Sequence, residues 1–319
     1  MPSRTHALMQ SWFIAARERG PVDLATERAE AAAYTEAYRP ILGVADEPAP
    51  GLLPGSYVMT PEDVRDDVVI LYIHGGGFRS GCAAMARPLA AHLSYGTRAR
   101  VVLPEYRLAP EHRYPAGLDD CIDAYARTAA SLSPSARIVV AGESAGANLA
   151  MAVLLRRATE GLPAPLAAVL YSGVFDLRKE RFESGSWVDN DATDPVLVHE
   201  LGLAMQADYL ADHTADDPIV SPVTAELADM PPLFVQVSSA ERLLDDSLRL
   251  VDRAARAGVH VEMEVWPHMP HAWQVASGFL PEATEASART SSFINRVADG
   301  RIVDGAALLG GPASLEELA

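Results

Sequence analysis

Short, continuously apolar segments alternate with longer amphipathic stretches from residue 68 onward, and this alternation constrains the fold more than any other feature. Continuous hydrophobicity is typical of strands buried on both faces, as in a parallel sheet covered by helices. The alternation of strand and helix therefore predicts a doubly wound α/β sheet. The predicted strands are 68–73, 101–104, 137–142, 166–172, 233–238 and 261–266, with helices over 116–132, 145–160 and 243–258.

One segment, 175–220, interrupts this alternation, and we predict that it forms a cap over the sheet together with the N-terminal helices. Residues 1–50 are rich in Ala, Glu and Arg with helical spacing, and residues 175–220 contain no convincing strand. An insertion between two sheet strands usually lies over the carboxyl edge of the sheet, where ligands bind; an ordinary surface excursion is the alternative. The predicted organisation is N-terminal cap helices in 1–50, an α/β core in 51–174 and 221–300, a second cap segment in 175–220, and a C-terminal tail in 301–319.

The composition indicates a globular protein and argues against polyanionic partners. Hydrophobic residues make up 49% of the chain and charged residues 22%, which fits a soluble domain with a sizeable core. The formal net charge of −17 repels nucleic acid and anionic membrane surfaces, so neither is an expected partner. There is no signal-peptide pattern and no apolar run of ~18 residues, while Cys82 and Cys121 form no CxxC pair. A cytoplasmic, reducing location is therefore the expectation.

The pentapeptide Gly142-Glu143-Ser144-Ala145-Gly146 follows a predicted strand and opens a predicted helix. A G-x-S-x-G sequence in this context makes a sharp strand-to-helix turn that exposes the serine hydroxyl, and small neighbours let adjacent backbones pass closely. The helix N-terminus directs unpaired N–H groups at the same point. Ser144 is therefore the predicted nucleophile; a structural turn with an incidental serine is the alternative.

Three consecutive glycines follow His74 at the end of the strand 68–73. Bare backbone N–H groups at such a position can form an oxyanion hole, which stabilises the negative charge that develops during acyl transfer. We predict that the N–H groups of Gly75, Gly76 and Ala145 are the donors, and that His74 is structural. A phosphate-binding loop is disfavoured because no Gly-Lys-Ser/Thr sequence follows.

A serine nucleophile needs a base and a carboxylate, which in this type of sheet follow it in the order acid, then histidine. His268 and His271 both lie in the loop after the last predicted strand. The candidate acids are Glu241, Asp245 and Asp246, which follow strand 233–238. Glu241 lies nearest the carboxyl end of that strand, whereas the two aspartates begin a helix, where the helix dipole favours acids in any case.

In four motifs the chain resembles the bacterial hormone-sensitive-lipase-like esterases. These motifs are HGGGF (74–78), YRLAPEHRYPAGLDD (106–120), GESAGANLA (142–150) and MPHAW (269–273), and the match runs from about residue 55 to 298. The resemblance implies an α/β-hydrolase fold with an eight-stranded sheet and a helical cap. It selects His271 over His268, and it aligns Glu241 with the family's acid, which is Asp in many relatives. It also implies that residues 106–120 support the oxyanion loop.

The predicted function is a serine carboxylesterase that hydrolyses short-acyl esters through an acyl-enzyme, with Ser144, Glu241 and His271 as the catalytic residues. The same residues would serve an amidase or formamidase, and a non-catalytic small-molecule receptor of this family would lack the histidine. No cofactor or metal is expected. A small-molecule ester is the predicted partner, and a homodimer is left open. Apolar residues with helical spacing near the N-terminus are expected to roof the pocket: Leu8, Met9, Trp12 and Phe13.

Overall fold

A computed structural model describes residues 3–20, 22–36 and 38–302 and has an eight-stranded sheet at its centre. The strand order is β1-β2-β4-β3-β5-β6-β7-β8, in which β2 runs antiparallel to both β1 and β4 and the other neighbours are parallel. This confirms the predicted α/β-hydrolase sheet. The strands are β1 (Val44–Pro48), β2 (Tyr57–Pro61), β3 (Val68–Ile73), β4 (Arg100–Leu103), β5 (Arg137–Glu143), β6 (Ala167–Tyr171), β7 (Leu233–Ser238) and β8 (Val261–Trp266).

Helices cover both faces of the sheet. One apolar cluster joins the sheet to α4, α5 and α8, and a second joins its other face to α3 and α9. None of the helices in the described ranges is long and apolar enough to cross a membrane. The helices are α1 (Arg4–Glu18), α2 (Leu24–Glu36), α3 (Arg87–Thr97), α4 (Ala116–Ala130), α5 (Ala145–Arg156), α6 (Ser186–Asp189), α7 (His199–Leu210), α8 (Leu244–Arg256) and α9 (Pro281–Ala298).

Strand β3 shows why the central strands are continuously apolar. All six of its residues are buried. Leu71 and Ile73 belong to the cluster on the α4–α5 face, whereas Ile70 and Tyr72 belong to the cluster on the α3–α9 face. Successive side chains of a strand point to opposite faces, so a strand covered on both faces needs apolar residues at every position.

The first two strands were not predicted, and β1 corrects one boundary. Residues Val44–Pro48 lie inside the segment 1–50 that was expected to form cap helices, yet they pair with β2 at the edge of the sheet. Three of the five residues of β1, Glu47 among them, are exposed, so the strand carries no continuous apolar pattern. Most of the predicted tail 301–319 lies outside the described residues.

The segment 175–220 contains no strand; it consists of turns, short helices and α7. Its side chains reach back to the loop after β7. Asn190, for example, donates hydrogen bonds from Nδ2 to the carbonyl oxygens of Ser239 and Glu241, at 3.1 and 2.7 Å. The segment thereby lies against the carboxyl edge of the sheet, where the chain places its reactive side chains.

Candidate active site

Ser144 lies at the sharp turn between β5 and α5. Its φ of 56° and ψ of −120° fall outside the regions that residues other than glycine usually adopt, which costs on the order of 1–3 kcal/mol. The turn is tight because α5 approaches β3 closely: a Cβ on Gly146 would lie 2.1 Å from the carbonyl oxygen of Ile73. The packing of helix against strand therefore holds the serine hydroxyl in a fixed, strained position.

The imidazole of His271 contacts the Ser144 hydroxyl. His271 follows β8, and its Nε2 lies 2.9 Å from Ser144 Oγ, although 127 residues separate them in the chain. Its Nδ1 lies 2.7 Å from Glu241 Oε2. Because a carboxylate only accepts hydrogen bonds, Nδ1 carries the proton and Nε2 is free to accept one from the serine.

Glu241 is buried on the turn after β7 and is held through its other oxygen. Oε1 accepts hydrogen bonds from Ser172 Oγ at 2.7 Å and from the Ser238 N–H at 2.9 Å. These bonds leave Oε2 directed at the histidine, and each of them favours the ionised carboxylate. The serine, histidine and glutamate therefore form one continuous hydrogen-bonded chain.

Burial and mutual contact shift the pKa values of both Glu241 and His271. Burial raises the pKa of Glu241, and the hydrogen bond from His271 partly offsets that effect. For His271, burial lowers the pKa, but the hydrogen bond and charge of Glu241, with the charges of Asp194 and Glu143, outweigh it, so the pKa is raised. The surroundings thus favour a proton on the imidazole, which suits a side chain that accepts one from serine.

The two alternative acids contact other parts of the chain. Asp245 Oδ2 accepts a hydrogen bond from the Ser186 N–H at 2.9 Å. Asp246 is fully buried, forms an ion pair with Arg181, and accepts the Phe175 N–H at 2.8 Å. Both carboxylates anchor the segment 175–220, whereas Glu241 contacts the histidine.

The glycine loop corrects one predicted donor. The Gly75 N–H donates a hydrogen bond to Glu143 Oε1 at 2.6 Å, so it is not free to bind a substrate oxygen. Within the described residues, the N–H groups of Gly76, Gly77 and Ala145 have no hydrogen-bond acceptor. Gly76 has a φ of 113°, and a Cβ there would lie 2.1 Å from the carbonyl oxygen of Ser80, so the loop requires glycine at this position.

His74 and Tyr106 support this loop from below. The His74 ring stacks on Tyr106 with the centroids 4.2 Å apart, and its Nδ1 lies 2.8 Å from the Gly75 carbonyl oxygen. The Tyr106 hydroxyl donates to the His74 carbonyl oxygen at 2.9 Å. Burial lowers the pKa of His74 to about 4, so the ring is neutral and its contacts are structural. His268, the other candidate histidine, is exposed.

A pocket of about 270 Å³ opens beside Ser144 and His271. Helix α2 contributes Glu27 and Ala31 to its wall, and the segment 175–220 contributes several apolar side chains. No lysine or arginine belongs to the wall in the part of the chain that the structure describes. The apolar wall includes Met85, Val174, Trp187, Leu201, Met205 and Val275.

Three residues of the site were missed by the sequence analysis. Gly77 was passed over because the HGGG motif alone does not show which N–H groups stay free. Glu143 was not singled out because the G-x-S-x-G motif accepts any residue there, although a carboxyl group next to a nucleophile is itself a signal. No sequence signal pointed to Ser172, which reaches Glu241 from the end of β6. Among the described residues, no group of three or more His, Cys, Asp or Glu side chains is arranged to hold a metal ion.

An eight-stranded sheet with a strained serine between a central strand and the following helix defines the class of α/β hydrolases. A family model described as alpha/beta hydrolase fold, Abhydrolase_3, matches residues 70–275. An acetyl-hydrolase of Streptomyces hygroscopicus is 36% identical over 259 residues, which cover 78% of this chain and 85% of that protein. Carboxylesterase NlhH of Mycobacterium tuberculosis is 34% identical over 252 residues, covering 75% of this chain and 77% of that protein.

Solved structures agree with these relatives. The crystal structure of an esterase from the bacterial hormone-sensitive lipase family superposes with a TM-score of 0.84 at 32% identity, covering 93% of this chain and 100% of that one. The chain therefore belongs to the α/β-hydrolase family, in its hormone-sensitive-lipase-like branch. Its relatives are esterases and carboxylesterases, and the chain is a carboxylic ester hydrolase.

Proposed function

We propose that the chain is a serine carboxylesterase that hydrolyses short-acyl esters through an acyl-enzyme on Ser144. One observation carries the proposal: the hydrogen-bonded chain from Ser144 Oγ through His271 to Glu241, with distances of 2.9 and 2.7 Å. A nucleophile bonded to a base, which is oriented by a third group, is the arrangement that activates a serine hydroxyl.

In the acylation half-reaction, Ser144 Oγ attacks the ester carbonyl carbon while its proton moves to His271 Nε2. The ionised Glu241 stabilises the imidazolium that forms. The carbonyl oxygen becomes an oxyanion and accepts hydrogen bonds from the N–H groups of Gly76, Gly77 and Ala145. When the tetrahedral intermediate collapses, the bond to the alkoxy oxygen breaks and His271 protonates the departing alcohol.

Deacylation repeats these steps with water as the nucleophile. His271 takes a proton from the water as the oxygen attacks the acyl carbon, and the same N–H groups stabilise the second oxyanion. Collapse breaks the bond between the acyl carbon and Ser144 Oγ, and His271 returns its proton to that oxygen. The carboxylic acid leaves, and the enzyme is restored.

The pocket supports the preference for short acyl chains. A volume of about 270 Å³ with an apolar wall matches the acyl group of a small ester. Helices α1 and α2 and the segment 175–220 are the proposed cap, since α2 and that segment supply much of the wall. The segment 51–174 with 221–300, extended by β1, is the proposed catalytic core.

Replacing the proposed nucleophile tests the mechanism. Ser144→Ala should hydrolyse p-nitrophenyl acetate and butyrate with kcat lower by roughly 10⁶-fold, as for a protease serine, and with an unchanged circular dichroism spectrum. Ser133→Ala, at an exposed serine, serves as the control and should be fully active. Activity of the parent should survive EDTA. A folded Ser144→Ala protein with parental turnover would overturn the proposal.

A further inference from the structure

The residue that precedes the proposed nucleophile connects two parts of the site. We propose that Glu143 is a positioning residue that aligns the oxyanion loop on the nucleophile turn and contributes a second negative charge beside His271. This inference rests on the proposed function, because it assigns Glu143 a task in that reaction. The task follows from its contacts, its burial and the groups that surround it.

Glu143 joins the nucleophile turn to the glycine loop. Its Oε1 accepts the Gly75 N–H at 2.6 Å. The two segments also touch directly, since a Cβ on Gly75 would lie 2.8 Å from the Glu143 carbonyl oxygen and 3.1 Å from Ser144 Cβ. Gly75 immediately precedes Gly76 and Gly77, so the bond to Glu143 sets the direction of the two following N–H groups relative to the serine.

The carboxyl group is buried and only partly satisfied. Glu143 is 6% exposed, and its Oε2 has no hydrogen-bond partner among the described residues. Burial raises the pKa of Glu143 to about 7, whereas the hydrogen bond from the Gly75 N–H and the charge of His271 lower it. The group therefore changes its charge near neutral pH.

Most of the titratable groups around Glu143 stay neutral in that range. Burial raises the pKa of Tyr72 on β3, of Tyr106 after β4 and of Tyr171 on β6. Burial lowers the pKa of His74 to about 4. His271, in the loop after β8, lines the same pocket as Glu143. The negative charge of Glu143 raises the pKa of His271.

Ionised Glu143 acts on the reaction in two ways. As an anion it accepts the Gly75 N–H more strongly than a protonated acid does, which fixes the loop that carries the oxyanion donors. Its charge also stabilises the imidazolium of His271 together with Glu241. Protonation of Glu143 weakens the first effect and removes the second, so both diminish below about pH 7.

The test compares Glu143→Gln and Glu143→Ala with a matched control, Glu105→Gln. Glu105 is also a carboxyl whose pKa burial raises to about 7, and its Oε2 accepts one backbone N–H, that of Ala83, at 2.7 Å. However, it lies outside the pocket wall. We would measure kcat and KM for p-nitrophenyl acetate from pH 5.5 to 9, at the isosbestic wavelength of p-nitrophenol.

Glu143→Gln keeps an oxygen for the Gly75 N–H but loses the charge. We expect the acid limb of its plot of log(kcat/KM) against pH to become shallower, because one ionisation is removed. The limb should also move to lower pH, because the pKa of His271 falls. Glu143→Ala loses the acceptor as well. Its kcat at pH 8.5 should fall about tenfold or more, though less than the ~10²–10³-fold for loss of an oxyanion donor, with KM little changed.

Glu105→Gln should keep the parental pH profile. An unchanged acid limb in Glu143→Gln, or the same shift in Glu105→Gln, would overturn the proposal, and Glu143→Gln decides it if Glu143→Ala fails to fold. Ser144→Ala separates this failure from failure of the proposed function. If Ser144→Ala is inactive while the Glu143 variants resemble the parent, only the role of Glu143 is wrong.

Discussion

The carboxylate beside His271 belongs to a glutamate whose two oxygens have separate tasks. Oε1 is fixed by Ser172 and by the Ser238 N–H, while Oε2 contacts the imidazole. The carboxylate reaches the histidine from the turn after β7. Burial with three hydrogen bonds leaves it one orientation, which orients the imidazole in turn.

The identity of the acid is tested by replacing Glu241 and the alternative candidate Asp245. Glu241→Gln should lower kcat by as much as ~10⁴-fold, because it removes the charge that orients and stabilises the imidazolium. Asp245→Asn should stay within a few-fold of the parent, since Asp245 contacts Ser186. Steady-state kinetics with circular dichroism measures both. A crippled Asp245→Asn beside a near-parental Glu241→Gln would contradict the assignment.

The oxyanion loop gives a second prediction. Gly76→Ala should lower kcat by ~10²-fold or more, because its Cβ would lie 2.1 Å from the Ser80 carbonyl oxygen and would displace the donors. Gly51→Ala is the matched control, since a Cβ there meets no atom within 4 Å. Comparable kcat values for the two variants would show that the loop does not position catalytic donors.

For individual residues, the sequence predicted which side chains come together, but not which backbone N–H groups stay without a hydrogen-bond acceptor. Ser144 and His271 follow from their motifs, and Glu241 follows from its position after a strand. The choice among Gly75, Gly76 and Gly77 depends on the Glu143 carboxyl, which occupies the first N–H. Such a contact between segments 68 residues apart is set by tertiary packing, which the HGGG motif does not encode.

Among the elements, α2 rather than α1 reaches the pocket. The apolar residues of α1 were expected to roof it, but Leu8 and Trp12 are 66% and 59% exposed. Helix α2 contributes Glu27 and Ala31 instead. Helical spacing identified both helices, but an apolar side chain on a short helix does not by itself reveal which surface it covers.

Enlarging the α2 side chain in the pocket tests the proposed cap. Ala31→Leu should reduce the volume beside Ser144, so that kcat/KM falls more for p-nitrophenyl hexanoate than for the acetate. Ala33→Leu adds the same volume at an exposed position of the same helix and should leave the profile unchanged. If Ala31→Leu also leaves the ratio of the two kcat/KM values at the parental level, α2 does not limit the substrate.

The strands also differ in how well the sequence predicts them. The six strands from β3 to β8 were predicted from apolar runs, to within a residue or two at each end. Strands β1 and β2 were missed because they lie at one edge of the sheet, where β1 is largely exposed. An edge strand without a fully buried face carries little hydrophobic pattern, so its pairing follows from the rest of the sheet.

For the whole molecule, the buried Glu143 links stability to pH. Its pKa is about 7 in the folded chain, against 4.5 as the ordinary value. Between these values the folded state binds a proton that the unfolded state has lost, so this group makes stability fall as pH rises from about 4.5 to 7.

Removing the carboxyl should remove that dependence. The free energy of unfolding of Glu143→Gln, relative to the parent, should rise between pH 5 and 8 by up to roughly 3 kcal/mol. Urea denaturation at several pH values measures it, with Glu183→Gln, at an exposed glutamate, as the control. If the difference in the free energy of unfolding between Glu143→Gln and the parent stays constant with pH, the pKa of Glu143 has its ordinary value in the folded chain.

The nucleophile itself can be tested by covalent labelling of the whole protein. The reagent is diethyl p-nitrophenyl phosphate. Attack by Ser144 Oγ on its phosphorus would form an O–P bond, release p-nitrophenol and leave a stable adduct. Peptide mass spectrometry should find one diethylphosphoryl group per chain, on Ser144, with activity lost in proportion and one equivalent of p-nitrophenol released. A fully labelled Ser144 in an enzyme that still hydrolyses esters, or inactivation through another residue, would contradict the account.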